Sequence, residues 1–377
     1  MKSIYFRDFI QLQRGFDLPK TQMITGKYPV IGSTSIIGFH NEYKNEPPGV
    51  VTGRSGSLGF VQFINQKYWP HNTSLWVRDF KGNYPRYVYY FLNWFDLKRF
   101  NSGAGVPTLN RNDLDNYEIN IHEKDEQTKI ASILSAYDDL IENNMRRIQI
   151  LEQMAQSIYK EWFVNFRFPG HENAKFVDSP LGKIPEGWEA SNIYDSVDIL
   201  SGGTPKTSNE MYYNGRIPFY TPKDAVMNYW VLKTEKGITE EGLNNCNSKL
   251  YPKHTVFITA RGTVGKLNLN WEPMAINQSC YALLSRRQFS QFYLFFSLLN
   301  YVGHMKQVAT GGVFDTIIVD TFKIVPLLIP PIELLNEFDN KISPILFESL
   351  TLERKNQNLR HTRDLLLPKL MSGEVEV

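Results

Sequence analysis

The sequence predicts an α+β fold: two globular mixed α/β domains separated by two long helices that form an antiparallel coiled coil, arranged as a pseudo-twofold internal repeat. Three observations predict it. Short motifs recur in the same order at a nearly constant shift, two stretches carry a helical three-and-four apolar rhythm, and a Pro/Gly-rich segment lies between the halves. The division that follows is a first domain at 1–125, a helix at 126–165, a connector at 166–187, a second domain at 188–330, and a second helix with tail at 331–377.

The repeat comes first because it governs the whole architecture. Thr52-Gly53-Arg54-Ser55-Gly56 is echoed by Thr259-Ala260-Arg261-Gly262-Thr263, a shift of 207 from residue 54 to residue 261. Gly105-Val106 is echoed by Gly312-Val313, and Asp113 by Asp320, at the same shift. Upstream, Leu12-Gln13-Arg14-Gly15 with Pro19-Lys20-Thr21 resembles Leu200-Ser201-Gly202-Gly203 with Pro205-Lys206-Thr207. The shift there is near 186, so the second copy must hold extra loop residues in between. Within the copies, residues 49–63 and 255–269 have strand composition punctuated by Gly. Residues 87–100 and 288–305 read as aromatic-rich helices whose Tyr and Phe side chains fill a core.

Each copy closes on a long helical pattern. Ile130, Leu134, Tyr137, Ile141, Asn144, Ile148, Leu151, Ala155, Ile158 and Trp162 alternate steps of four and three, as do Leu335, Phe338, Ile342, Ile345, Ser349, Leu352, Asn356, Leu359, Arg363 and Leu366. That rhythm over several heptads marks a helix-pairing seam. A chain that leaves its first domain by one helix and returns by another can pair them antiparallel. Leu134, Ile141, Ile148 and Leu151 would then be buried against Leu335, Ile342, Ile345, Leu352 and Leu359, and Asn144 and Asn356 would fix the register. Pro344 predicts a kink or a late start in the second helix, and Pro368 with Gly373 its end.

Composition narrows the function. Hydrophobic residues make up 42% of the 377, with 24 Phe, 20 Tyr and 7 Trp, enough for sizeable cores. The formal net charge of +2 excludes a polycation, so any affinity for nucleic acid must come from local patches or other subunits. Cys246 and Cys280 form no metal-ligand spacing or disulfide framework, which fits a reducing cytosol. The first residues lack the apolar core of a signal peptide, and the apolar run at 324–332 is interrupted by Pro326, Pro330 and Pro331. The expectation is a cytoplasmic protein with no membrane partner, no metal and no cofactor of its own.

The candidate contact residues lie in Gly-rich and hydroxyl-rich loops. Arg54, Ser55 and Ser57 in the first copy, and Arg261, Thr263 and Lys266 in the second, sit where glycine lets backbone N–H groups approach a phosphate and where Arg can pair with phosphate or guanine. Lys20 and Thr21, and Thr204, Lys206 and Thr207, combine backbone flexibility with hydroxyls and Lys, a set suited to phosphate anchoring. Asn72, Asn277 and Gln278 have amides able to read adenine edges, or to satisfy a turn. Gly262-Thr263-Val264-Gly265-Lys266 has too short a glycine spacing for a P-loop, and Leu267 stands where Ser or Thr is required.

Several segments resemble one family. Residues 199–205 (Ile-Leu-Ser-Gly-Gly-Thr-Pro), followed by Tyr213-Asn214-Gly215 and Ile217-Pro218-Phe219, look like the opening of a target-recognition domain of type I restriction-modification specificity subunits. Leu181-Gly182-Lys183-Ile184-Pro185-Glu186-Gly187-Trp188 resembles the segment that precedes such a domain, and residues 126–134 the start of the family's helix. Residues 366–375 (Leu-Leu-Pro-Lys-Leu-Met-Ser-Gly-Glu-Val) resemble its C-terminal signature. The first copy departs from the Gly-Gly-Thr-Pro form, with Gly15-Phe16-Asp17-Leu18-Pro19 instead. The resemblance implies two target-recognition domains, each reading half of a split double-stranded DNA target. It also implies helices that set the spacer, two methyltransferase subunits using S-adenosylmethionine to methylate adenine, and a motor-nuclease subunit for restriction.

The resemblance further implies a subunit without catalysis. An Asn/Asp-Pro-Pro-aromatic motif for adenine methylation is missing: Pro47-Pro48 follows Glu46 and Pro330-Pro331 follows Ile329. The acid-x-Lys strings at 42–44, 339–341 and 353–355 have no evident partner acid for a nuclease metal. Two other classes stay open at this point: a coiled-coil scaffold that binds only protein, and a reader fused to a nuclease or methyltransferase.

Overall fold

The computed structural model describes residues 1–103, 105–286, 289–310 and 316–377. The echo at Gly312-Val313 and the expected helix start at Gln288 fall outside the described residues. The chain divides into two units, Met1–Ile141 with Asn358–Val377, and Glu142–Gln357.

The first unit opens with the antiparallel pair Lys2–Tyr5 and Glu118–Ile121. An antiparallel sheet follows, in the order Gln11–Arg14, Ser74–Asp79, Gly49–Gly53 and Val61–Ile64. A second sheet places Tyr28–Ile31 between antiparallel Ile36–His40 and parallel Trp69–Pro70. Strands Gly49–Gly53 and Ser74–Asp79 carry the β-branched and aromatic side chains that suit a packed pleat, and Val50, Val51, Leu75 and Val77 are buried. The helix Pro85–Trp94 starts on a proline at its first turn, and Tyr87, Val88, Tyr90, Phe91 and Leu92 on it are buried. These aromatics pack with Phe6, Phe9 and Phe95, so the Tyr/Phe run fills the core as the sequence predicts.

The second unit repeats this plan. Glu189–Asn192 pairs with Pro326–Ile329. The main sheet runs Val197–Ser201, Cys280–Ser285, Val256–Thr259, Leu267–Asn270, then Trp230–Val231. The smaller sheet places Tyr213–Tyr220 between Lys236–Ile238 and parallel Ala275–Ile276. The fifth strand comes from the segment between Tyr220 and Lys236. In the first unit only Gly32–Ser35 separates Ile31 from Ile36, so this segment supplies about half of the extra residues that the shift in repeat spacing requires; most of the rest lie between Ile238 and Val256.

The long helices are Lys124–Tyr159, extended by a π-helical turn at Lys160–Val164, and Ile332–Ser372. Each contributes residues to both units. In the first unit Ile130, Ala131, Leu134, Leu370 and Met371 join one core, and Arg363 donates to Asp138 at 2.6 Å. In the second, Asn144 Nδ2 donates to Asn356 Oδ1 at 2.9 Å and Arg147 pairs with Glu348 at 3.0 Å, so the two segments run antiparallel. Of the seam residues, Leu134, Ile141, Asn144, Ile148, Leu335, Ile342, Leu352 and Asn356 are buried, while Leu151, Ile345 and Leu359 are half-buried. Leu346, not Ile345, is the fully buried side chain of its turn.

Two proline expectations are corrected. The second helix starts at Ile332, directly after Pro330-Pro331, and continues unbroken through both Pro344 and Pro368 to Ser372. Both prolines lie on the exposed face, and the residues four before them, Asn340 and Asp364, are exposed too. The carbonyls left without an N–H partner are therefore open to water, which lowers the cost of an interior proline. The helix stops at Gly373, whose φ of +77° is the left-handed conformation of a helix C-terminus.

Candidate nucleic-acid interface

In the first unit, loops from three strand ends meet at one edge of the sheet. Arg54 N donates to Thr73 O at 2.9 Å, Arg54 O accepts from Leu109 N at 2.8 Å, and the half-buried Arg54 guanidinium donates to Asn72 O at 3.4 Å. Ser55 N donates to the same Thr73 carbonyl, and Ser33 Oγ donates to Ser55 O and Thr73 O, each at 2.9 Å. Ser57 lies exposed on the turn that follows. A Cβ at Gly53 would come within 2.0 Å of Ser57 O, so only glycine permits that approach. Asn72 Nδ2 donates to Asp17, which also pairs with Arg14 at 3.4 Å. The fold thus brings Arg54, Ser55 and Asn72 together and adds Asp17, Arg14 and Ser33. Lys20 and Thr21 are exposed on a short turn at Lys20–Gln22. His71, beside the cluster, is held below its ordinary pKa by burial and is neutral near pH 7.

In the second unit, Thr204, Thr207, Asn277 and Gln278 line one cleft of about 840 Å³, with Thr221 and Asp224. Thr204 Oγ1 donates to Gln278 Oε1. Asn277 N donates to Tyr220 O at 2.9 Å and its Oδ1 accepts from Ser279 N at 3.0 Å, so the amide is partly committed to its turn. Asp224 accepts from Thr221 N at 2.8 Å and from Glu235 N at 2.6 Å, which fixes the cleft wall. Thr263 Oγ1 donates to Pro222 O at 3.2 Å, joining the Arg261–Lys266 loop to that wall. Lys206 is exposed at the cleft margin.

Register decides which residues of the two copies correspond. Gly53 pairs with Ser74, and Thr259 with Cys280. Arg54 N and Ser55 N both donate to Thr73 O, while Ala260 N and Arg261 N both donate to Ser279 O. The left-handed glycines of the two loops are Gly56 and Gly59, and Gly262 and Gly265. All of these correspond at a shift of 206, one less than the tripeptide echo suggests. Arg54 is therefore matched by Ala260, and Arg261 stands where Ser55 stands. The same comparison matches Gly15 with Gly202. A Cβ on either would strike a carbonyl, His71 O at 2.1 Å or Asn277 O at 2.2 Å. Asp17 with Asn72 then corresponds to Thr204 with Gln278.

Within each unit, polar contacts tie the reader to the helices. Asp138 accepts from Tyr90 Oη at 2.5 Å and lies 3.9 Å from Arg86, a guanidinium stacked over Phe63. In the second unit Trp230 Nε1 donates to Leu346 O and Ser349 Oγ, both at 3.1 Å. Glu152 accepts from Tyr229 N at 2.8 Å, and Asn228 Nδ2 donates to Glu353. Burial, reinforced by the charge of Glu353, raises the Glu152 carboxyl to about 7. Among the described residues no group of three or more His, Cys, Asp or Glu is placed to hold a metal, and no helix is long and apolar enough to cross a membrane.

Two copies of one sheet scaffold each gather polar loops at the same strand ends and pack on segments of the two long helices. A family model described as the type I restriction modification DNA specificity domain matches the chain twice, over residues 5–153 and 185–359. The chain belongs to the family of type I restriction-modification specificity subunits, the non-catalytic recognition component of such systems. The MjaIX specificity subunit of Methanocaldococcus jannaschii is 27% identical over 285 residues, covering 74% of this chain and 66% of that relative. The HindI specificity subunit of Haemophilus influenzae is 25% identical, with 75% of this chain and 74% of that relative covered. The S subunit of a type I system from M. genitalium has a similar fold, with a TM-score of 0.64 at 16% identity over 98% of this chain and 96% of that one.

Proposed function

We propose that this subunit reads a bipartite double-stranded DNA target, with the domain at 1–125 reading one half-site and the domain at 188–330 the other. The observation that carries the reading is the equivalence of the two loop edges. The same strand ends, the same close-approach glycines and a side-chain pair at the same place recur in each copy, but the pair is Asp17–Asn72 in one and Thr204–Gln278 in the other. A conserved scaffold with different donors and acceptors at one position is what reading two different half-sites requires. Base edges in the major groove are told apart by their donor and acceptor patterns. The helices at 126–165 and 331–377 pair as an antiparallel coiled coil, set the spacer between half-sites and dock two methyltransferase subunits. Those subunits supply S-adenosylmethionine chemistry on adenine, and a motor-nuclease subunit joins for restriction, all in the cytoplasm. This chain's contribution is positioning: it presents a chosen adenine to a partner's active site.

Methylome sequencing of cells expressing the chain with its modification partner tests this. Thr204→Val with Gln278→Leu is expected to relax base preference in one half-site, at about 1–3 kcal/mol per lost base contact, and to leave the other half-site intact. Relaxation in both halves, or in neither, contradicts the assignment.

A further inference from the structure

The duplication supplies an internal control for surface charge. One cleft of the first unit, about 720 Å³, is lined by Arg7, Arg14, Arg78, Lys81 and Arg111, against only two carboxylates, Asp17 and Asp115. A neighbouring cleft shares Arg14 and Arg111 and adds Arg54. The five residues of the first set are exposed. Among the described residues, Arg7, Arg54, Arg78 and Arg111 form no ion pair; Arg7 donates to Asn116 and Arg111 to Leu12 O at 3.2 Å, both neutral partners. Arg14 pairs with exposed Asp17, and Lys81 with exposed Asp79, contacts that cost little to exchange.

The positions equivalent to Arg7, Arg14, Arg54 and Arg111 are uncharged in the second unit, and Arg286 and Lys323 there pair with Asp198 at 2.5 Å and Asp320 at 2.7 Å. Phe6 N donates to Tyr117 O and Ile193 N to Val325 O, which matches Arg7 with Tyr194. Arg14 faces Leu75 and Ser201 faces Tyr281 across the matching strand pairs, so Arg14 corresponds to Ser201; Arg78 is the extra residue of a β-bulge, where Leu12 faces Val77 but Gln11 faces Asp79, and the second strand pair runs without one. Leu109 N donates to Arg54 O and Ile317 N to Ala260 O, which matches Arg111 with Val319 and Arg54 with Ala260. Four of the arginines thus stand at positions held by Tyr, Ser, Val and Ala in a scaffold of the same topology, and the fifth, Arg78, on a bulge that the second copy lacks. The scaffold does not need them for folding, since the second copy forms the same sheets without them.

We propose that this arginine-lined cleft is a binding track for a DNA phosphodiester backbone, present in the first reader and not in the second, so that the two halves of the target are held by unequal electrostatic anchoring. The proposal rests on the DNA-reading function above. Guanidinium groups bind phosphate oxygens bidentately, and an exposed row of them beside the reading loop at Gly15–Asp17 would run alongside the backbone flanking the half-site. Arg54 sits at the junction, its guanidinium turned to Asn72 O.

The test uses the full chain and a mixed-sequence 30-base-pair duplex, with binding followed by fluorescence anisotropy over a KCl series. Each phosphate neutralised contributes about 0.9 to the slope of log affinity against log salt. Arg7→Gln/Arg78→Gln/Arg111→Gln is expected to lower that slope by about two to three, and the Arg→Lys triple to keep it. Ser201→Arg with Val319→Arg is expected to steepen it by about one to two. A wild-type slope in the Gln triple, with folding verified by circular dichroism, overturns the track while leaving DNA reading in place. A Lys triple that falls as far as the Gln triple also overturns it as a charge-based anchor. Failure of the wild-type chain to bind the duplex, alone and together with its modification partner, overturns the reading on which the proposal rests.

Discussion

At the scale of single residues, the loop chemistry was legible as composition but not as correspondence. Arg54 and Arg261 look equivalent because each follows a Thr-small pair, yet sheet register sets them one position apart. A one-residue shift on a strand exchanges faces, and no tripeptide match contains that information. The two arginines are accordingly expected to behave differently. Arg54→Ala removes a half-buried guanidinium held against Asn72 O, and should relax one position of the first half-site at a cost of about 1–3 kcal/mol. Arg261→Ala removes an exposed charge, and should weaken binding to all sequences with a salt slope lower by about one. Competition binding against half-site variants separates the two outcomes. The cleft arginines carried no sequence signal, since Arg7, Arg78 and Arg111 belong to no motif and meet only through the strand order. Glu152 was equally hidden. It lies on the seam helix among solvated Glu, Lys and Arg, but the Tyr229 turn covers it. A carboxyl raised by burial from 4.5 to about 7 favours folding fully below pH 4.5, and that contribution is lost as pH rises through 7. Glu152→Gln keeps an acceptor for Tyr229 N and removes the charge. It should raise the unfolding free energy at pH 8, by about 3 kcal/mol at most, and leave it unchanged at pH 4. Urea unfolding at the two pH values measures it.

At the scale of elements, periodicity did its work wherever the helix face was continuous. The three-and-four rhythm located both long helices, because apolar spacing and helix geometry share one period. It overstated the burial of Leu151, Ile345 and Leu359, which are half-buried, with Leu346 buried in place of Ile345, since a straight helix drifts against a strict heptad. Proline misled for a different reason: its penalty depends on whether the freed carbonyl reaches water, which depends on the face. The buried Asn144–Asn356 pair is the element's costly feature, and Asn356 Nδ2 has no hydrogen-bond partner among the described residues. Replacing both with Leu should stabilise the protein by about 1–3 kcal/mol in urea titration. It should also weaken the preference for one register, read as methylation at targets of more than one spacer length. A destabilised double variant with an unchanged single spacer would show that the pair is not a register device.

At the scale of the whole molecule, the duplication was the most legible property and the difference between the copies the least. Glycines that permit close approach recur because backbone contact recurs. Side chains that meet a ligand are free to differ, so they erase the very similarity that reveals a repeat. The extra strand Trp230–Val231 illustrates this: the sequence shows only a changed spacing, while the structure shows a tryptophan hydrogen-bonded to the second helix. The proposed division of labour, readers for sequence and helices for spacing, is tested most directly by a matched insertion of four helix-forming residues after Asn143 and after Asn356. Four residues turn a helix by about 400° and lengthen it by about 6 Å, close to two base pairs. Methylome sequencing of cells carrying this variant with its modification partner should show both half-sites unchanged and a non-specific spacer one or two base pairs longer. An active variant that methylates the original spacer, or one whose half-site sequences change, would contradict the helices as the determinant of separation.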